Sequence, residues 1–334
     1  MSERVLRVGL VGLGDIAVKA HVPALAADPR TELVAVAELD AERLRTAAPP
    51  GTRTTSDPAE LFDDASIDAV VIATPAAATV ELARAALLAG KYVLAEKPIA
   101  PTTEQAVALG EVPGALDRLQ IGLTYRHHPA IDRLKQLLDE DALGRPLLIQ
   151  AAICDERADP TGDPEGYARR LRSLERMAPV ISDGVHACDR LNLLLGAQPE
   201  SVTGWSLSTD PAYARPNVNG GVLTYDDGTV VRLEVVWLTP VLPPSQFVVT
   251  GPLGRATLDP PTFGLTVELA DGSVERLDPP GGKTEVCFAL QLERFASSCL
   301  DGTAPVPGFE EALASLELAE RIAEAAGVGG TVHA

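Results

Sequence analysis

Two side chains in this sequence are suited to moving a proton near neutral pH. Lys97 lies in Ala95-Glu96-Lys97-Pro98, directly after the apolar run Tyr92–Ala95 and ahead of a second apolar stretch. A lysine so flanked is partly desolvated, which lowers its pKa and lets it give and take protons. Taken alone, a solvated surface lysine is the plainer reading. His186 opens an apolar helical pattern running to Leu195, where a histidine serves either packing or proton transfer. A different chemistry belongs to Gly12-Leu13-Gly14-Asp15-Ile16-Ala17, a G-x-G-x-x-A turn between a strand pattern and a helix pattern. Gly12 permits the tight turn, Gly14 lets backbone approach a pyrophosphate, and Ala17 is small enough for the helix to pack on a sheet. The helix that begins at Asp15 and Ile16 offers its N–H groups and positive dipole end to phosphates.

Glu38 ends the next strand pattern, in Leu33–Asp40. A carboxylate there accepts hydrogen bonds from both ribose hydroxyls and repels a 2′-phosphate. Leu39 and Asp40 offer that phosphate no cation. NAD(H) is therefore favoured over NADP(H), against the alternative that Glu38 is merely a solvated strand-end group.

Other chemistries find little support. There is no H-E-x-x-H pair or Cys/His cluster to hold a metal, no G-x-S-x-G elbow and no phosphate loop ending in Gly-Lys-Ser/Thr. Cys154, Cys188, Cys287 and Cys299 are far apart, which fits free thiols in a reducing compartment. A net charge of −19 with no block of lysine or arginine argues against nucleic acid and anionic membrane as partners. The opening residues enter an apolar strand without the layout of a signal peptide, and no apolar run approaches a membrane span. The expected address is cytoplasmic.

The elements that must position these groups fall into two styles. Strand patterns Arg4–Val11, Glu32–Glu38, Asp68–Ala73, Tyr92–Ala95 and Leu119–Leu123 alternate with helical stretches such as Ile16–Ala26 and Val80–Leu88. That alternation predicts a doubly wound parallel sheet of the Rossmann kind, and the unbroken apolar run Ala69–Ala73 suits a strand covered on both faces. Beyond it come a helix over Ala130–Leu138, a strand over Pro146–Ile153, a polar loop over Asp155–Asp163 and a helix over His186–Leu195 ending at Gly196. Strands then follow one another over Ser201–Ser208, Gly221–Tyr225, Thr229–Trp237, Gln246–Thr250, Ala256–Leu258 and Leu265–Leu269. Asp227-Gly228 between two of them is a hairpin signal. Helices over Val286–Leu300 and Phe309–Ala325 close the chain. The expectation is an α/β chain with a dinucleotide-binding domain over 1–123. An α+β domain over 124–334 follows, with a large open, mostly antiparallel sheet, and the C-terminal helices can pack back on the first domain.

Taken together, Gly9–Ala17 with His21 and Pro23, then Ala73-Thr74-Pro75, then Glu96-Lys97-Pro98, resemble the glucose–fructose oxidoreductase/inositol dehydrogenase (Gfo/Idh/MocA) family in order and spacing. Asp183-Gly184-Val185-His186 with Asp189 resembles that family's second signature, and Phe247–Asp259 its sheet segment. The resemblance spans nearly the whole chain. It implies an NAD(P)-dependent oxidoreductase acting on a secondary alcohol or ketone of a sugar, polyol or similar ring. Lys97 would exchange a proton with the reacting oxygen, with a cis peptide before Pro98 admitted, and His186 would contact the same oxygen. Thr74, Pro75 and Glu96 would line the nicotinamide side of the cofactor. Tyr125, Arg126, Asp183 and Asp189 would hold other substrate groups, and the C-terminal sheet would join copies into a homodimer or homotetramer.

Three positions depart from the family pattern. Ser182 stands where relatives carry an aspartate four residues before the histidine. Asp183 is one residue, or about 100° of helix, away from that place. Met177-Ala178-Pro179 replaces a Gly-Gly, and Thr79 replaces a histidine after Ala-Thr-Pro. Such departures leave room for a divergent substrate, for an NAD-recycling glycosidase or lyase, or for a dinucleotide-binding sensor without catalysis.

Overall fold

The computed structural model describes residues 4–329, which separate into two units. The first holds the described residues through His127 together with Thr284–Leu313. The second holds His128–Lys283 and the described residues from Ala314.

The first unit is built on six strands: β1 (Leu6–Val11), β2 (Thr31–Ala37), β3 (Arg53–Thr55), β4 (Ala69–Ile72), β5 (Tyr92–Ala95) and β6 (Leu119–Ile121). They lie in the order β3-β2-β1-β4-β5-β6 and every pair is parallel. All four residues of β4 are buried, as a strand covered on both faces requires. Because β1 leads to β2 on one side and neighbours β4 on the other, the sheet's direction of winding reverses between them. Open α/β sheets bind ligands at the carboxyl ends of strands at such a point. Helix Lys283–Asp301 contributes Phe288, Leu292, Phe295, Ala296 and Cys299 to the same apolar core as Leu6, Val8, Leu10 and Ala17.

The helix after the glycine turn differs from the regular one expected. Ala17–His21 winds as a π-helical turn before α-helix resumes over Val22–Ala27. The wider turn inserts a residue and re-aims the side chains around it.

The second unit is an eight-stranded sheet: β7 (Leu148–Cys154), β8 (Ser201–Leu207), β9 (Val218–Thr224), β10 (Val230–Val236), β11 (Gln246–Gly251), β12 (Gly254–Leu258), β13 (Leu265–Leu269) and β14 (Val274–Leu277). Their order is β14-β13-β12-β11-β7-β10-β9-β8, and β7 with β10 is its parallel pair. The hairpin between β9 and β10 forms where Asp227-Gly228 predicts it. Gly228 takes a φ of +82°, and Asp227 Oδ1 accepts the Thr229 N–H at 2.8 Å. The chain also forms elements that no expectation covered, among them β14 and helix Pro164–Arg176, whose Tyr167, Leu171 and Leu174 fall at helical spacing.

Candidate functional site

In the first unit, three turns leave the carboxyl ends of the neighbouring strands β1, β4 and β5, and they carry most of the expected site. Gly12 follows β1 with a φ of +91°, and a Cβ there would stand 2.5 Å from the Ala73 carbonyl oxygen at the end of β4. Thr74 flanks it, with Cγ2 3.2 Å from the same point. Gly14 is held differently: a Cβ added to it would meet nothing within 4 Å. Neither packing nor backbone strain demands glycine there, so the residue fits an approach from outside by a phosphate. Asp15 and Ile16 are exposed at the start of the helix, and Asp15 pairs with Lys19 at 3.3 Å.

Glu38 is not a solvated strand end. One carboxylate oxygen accepts the Leu13 N–H of the glycine turn at 2.8 Å, and the other accepts the Asp40 N–H at 3.0 Å. Arg43 Nη1 lies 3.5 Å from it. Leu39 and Asp40 supply no cation, as expected, but Arg43 in the first turn of helix Ala41–Ala47 does.

After β4, Thr74 and Pro75 open helix Ala76–Leu88. Thr79 is buried and folds back on this turn, its hydroxyl 3.0 Å from the Thr74 hydroxyl and donating to the Thr74 carbonyl at 3.1 Å. The residue that replaces the family's histidine thus shapes the turn.

After β5, the Lys97–Pro98 peptide is cis and Lys97 is half-buried. Glu96 is buried, and its carboxylate is committed inward. His21 Nε2 lies 2.8 Å from Oε1, and Oε2 accepts the Lys97 N–H at 3.2 Å. The sequence marked His21 only as part of the family resemblance and did not pair it with Glu96.

Tyr125 and Arg126 sit in a 3-10 turn, Thr124–His127. Tyr125 is half-buried and Arg126 is buried. The Thr124 hydroxyl donates to Gln291 Oε1 at 2.8 Å, and Arg294 lies 3.1 Å from His127 Nδ1. Burial, then the guanidinium groups of Arg294 and Arg126, hold the His127 pKa down at about 3. The ring is neutral.

In the second unit, Asp183 and His186 stand at the start of helix Gly184–Leu195, whose end at Gly196 takes a φ of +63°. Asp183 Oδ2 accepts the Trp237 indole N–H at 2.9 Å, an anchor from β10's end that the sequence reading did not pair with it. Ser182, Asp183 and His186 are all half-buried. Asp189, three residues beyond His186 on the same helix, is 1% exposed and accepts the Ser315 hydroxyl at 3.5 Å. Next to it, buried Arg190 stacks over the Phe247 ring at 4.8 Å.

Comparison with known proteins shows which chains share this fold and sequence. Residues 6–115 match the family model described as "Oxidoreductase family, NAD-binding Rossmann fold", and residues 131–257 match the "GFO/IDH/MocA C-terminal domain". The dTDP-3,4-didehydro-2,6-dideoxy-alpha-D-glucose 3-reductase of Streptomyces violaceoruber is 32% identical over 87% of this chain and 86% of its own. Inositol 2-dehydrogenase 2 of Paenarthrobacter aurescens is 26% identical over 98% and 97%. Among solved structures, KijD10, a 3-ketoreductase from Actinomadura kijaniata in complex with NADP and TDP-benzene, superposes with a TM-score of 0.78 at 26% identity, covering 96% of this chain and 98% of that one. No helix among the described residues is long and apolar enough to cross a membrane.

Proposed function

We propose that this chain, which belongs to the glucose–fructose oxidoreductase/inositol dehydrogenase (Gfo/Idh/MocA) family, exchanges a hydride between a nicotinamide dinucleotide and a secondary alcohol or ketone on a sugar- or polyol-like ring. The observation that carries this reading is the shared edge of β1, β4 and β5. It joins a glycine turn with open space at Gly14 to a turn presenting Lys97.

When bound, the dinucleotide takes up or returns the hydride. The chain's own residues do the rest. Gly12, Gly14, Asp15 and Ile16 seat the phosphates, and Thr74 and Pro75 flank the nicotinamide side. Lys97 accepts the hydroxyl proton in oxidation and gives it back to the carbonyl oxygen in reduction. His186 and Asp183 of the second unit, and Tyr125 and Arg126 of the first, hold substrate groups. Asp189, buried against Ser315 on the same helix as His186, holds a further substrate group. Glu38 favours NAD(H) by accepting the ribose hydroxyls, while Arg43 beside it leaves NADP(H) a weaker second. Copies pair through the exposed face of the eight-stranded sheet.

Titration with NADH and NADPH, followed by a screen of polyols, keto-sugars and nucleotide-linked keto-sugars, tests the reading. In Lys97→Ala, turnover is expected to fall by about a hundredfold or more, with NADH affinity within about threefold of wild type. Wild-type turnover in that variant removes Lys97 from the mechanism, and binding of neither dinucleotide removes the reading altogether.

A further inference from the structure

Glu96, directly before Lys97, turns its side chain inward. Its side chain is 10% exposed and that of His21 is 3% exposed, so a carboxylate and an imidazole meet away from water. Withdrawing a carboxylate from solvent is costly unless its oxygens are satisfied. Here both are: one by His21 Nε2 at 2.8 Å, the other by the Lys97 backbone N–H at 3.2 Å. Gly122 closes a further side, since a Cβ there would stand 3.1 Å from Oε2 and 3.2 Å from Oε1. The His21 ring is itself held edge-on by Phe288, with centroids 5.0 Å apart.

His21 sits at the end of the π-helical turn Ala17–His21, in the helical run that begins just past Gly14. The bulge aims the imidazole at a residue 75 positions later in the chain.

The geometry points to His21 as a positioning residue: acting through the Glu96 carboxylate, it fixes the backbone from which Lys97 projects and ties that backbone to the dinucleotide-binding helix. This rests on the reading of Lys97 as the proton-transfer group. The Glu96 carboxylate serves as a strut between two turns. His21 never touches a reacting atom.

The full-length protein allows a test that does not require turnover. Its lysines are Lys19, Lys91, Lys97, Lys135 and Lys283, few enough that reductive ¹³C-methylation gives a resolvable set of signals, with the Lys97 signal identified by its loss in Lys97→Ala. His21→Phe keeps a ring against Phe288 and removes the N–H, whereas His21→Gln keeps a donor. The expected result is a displaced Lys97 signal in His21→Phe and a largely restored one in His21→Gln, with NADH affinity within about threefold throughout. With a polyol or keto-sugar that wild type turns over, His21→Phe lowers kcat about tenfold or more while KM stays within about threefold, and it costs nothing further in Lys97→Ala.

An unmoved Lys97 signal together with wild-type kcat in folded His21→Phe overturns the proposal. Should His21→Phe fail to fold, Glu96→Gln with and without His21→Asn, whose shorter side chain cannot reach Glu96, carries the same test: losses that simply add show two independent residues and overturn it, and losses that overlap support it. Wild-type turnover in Lys97→Ala defeats the reading of Lys97 instead, and the methyl-lysine signal still reports whether His21 sets that residue's place.

Discussion

Gly12 and Gly14 look alike in the sequence and are held by different things. Gly12 has a φ of +91° and a backbone oxygen where its Cβ would go, so Gly12→Ala strains and crowds the folded chain. The left-handed backbone alone costs about 1–2 kcal/mol, and the contact with Ala73 adds to it. Gly14 has neither constraint. Gly14→Ala is therefore expected to change stability by no more than about 0.5 kcal/mol while weakening NADH by about tenfold or more, because its methyl would occupy the space a phosphate needs. Thermal melts beside NADH fluorescence titrations separate the two effects. A Gly14→Ala protein that binds NADH normally would show that the open space has another use. Cofactor choice is decided a few residues away. In Glu38→Gln the carboxylate charge is gone while an acceptor for Leu13 remains, and Arg43 keeps only the longer pair with Asp40. The NADH-to-NADPH affinity ratio is expected to fall by about tenfold. Arg43→Ala is expected to move it the other way, and an unchanged ratio in both variants would remove this pair from cofactor selection.

At the scale of elements, legibility followed burial. The strand Tyr92–Ala95 and the helix Phe309–Ala325 coincide with their apolar patterns, because in each the rhythm of the residues records a buried face. The elements that no expectation covered bury little. Helix Ala41–Ala47 has no buried residue, and β14 is exposed over most of its length. Helix Pro164–Arg176 starts from a Pro-Glu-Gly stretch and buries only Gly166 and Leu174. The glycine turn, Thr74 and Lys97 were legible because backbone chemistry and strand ends mark them. The partners His21, Arg43 and Trp237 were not, since each reaches its carboxylate from an element distant in sequence or through a side chain that composition does not orient. One such contact sets a pH dependence. The turn Thr124–His127 docks on helix Lys283–Asp301 through Thr124–Gln291 and His127–Arg294. His127 is held neutral down to about pH 3, whereas the unfolded chain's histidine takes its proton near pH 6.5. Between those values the unfolded state binds more protons, so stability is full above about pH 6.5 and drains as pH falls, by at most about 1.4 kcal/mol per unit from this residue. Urea unfolding at a series of pH values checks it. His127→Asn should flatten that limb, and an unaltered slope would assign the acid sensitivity to other groups.

For the whole molecule, the open sheet poses the remaining question of what covers it. Gly204 turns toward the end of helix Phe309–Ala325, where a Cβ would strike the Ala326 backbone, so that face of β8 is taken. On the sheet's other side the Trp205 indole lies across Gly220, remaining 41% exposed, with Leu207 at 54% and Leu148 at 43%. Gln150, Arg232, Glu234 and Gln246 stand around Trp205 in neighbouring strands. A face with an aromatic centre and a polar surround has the composition of a protein interface. The net charge of −19 opposes the meeting of two copies, so any self-association has to come from the apolar centre against long-range repulsion. Sedimentation velocity should then show a dimer or tetramer whose affinity holds or rises from about 0.05 M to about 0.5 M salt, as screening removes the repulsion. Trp205→Glu should yield monomer with its NADH affinity intact. An assembly that dissociates on added salt would place the contact on ion pairs elsewhere, and wild-type monomer at tens of micromolar would leave the sheet face without a partner copy.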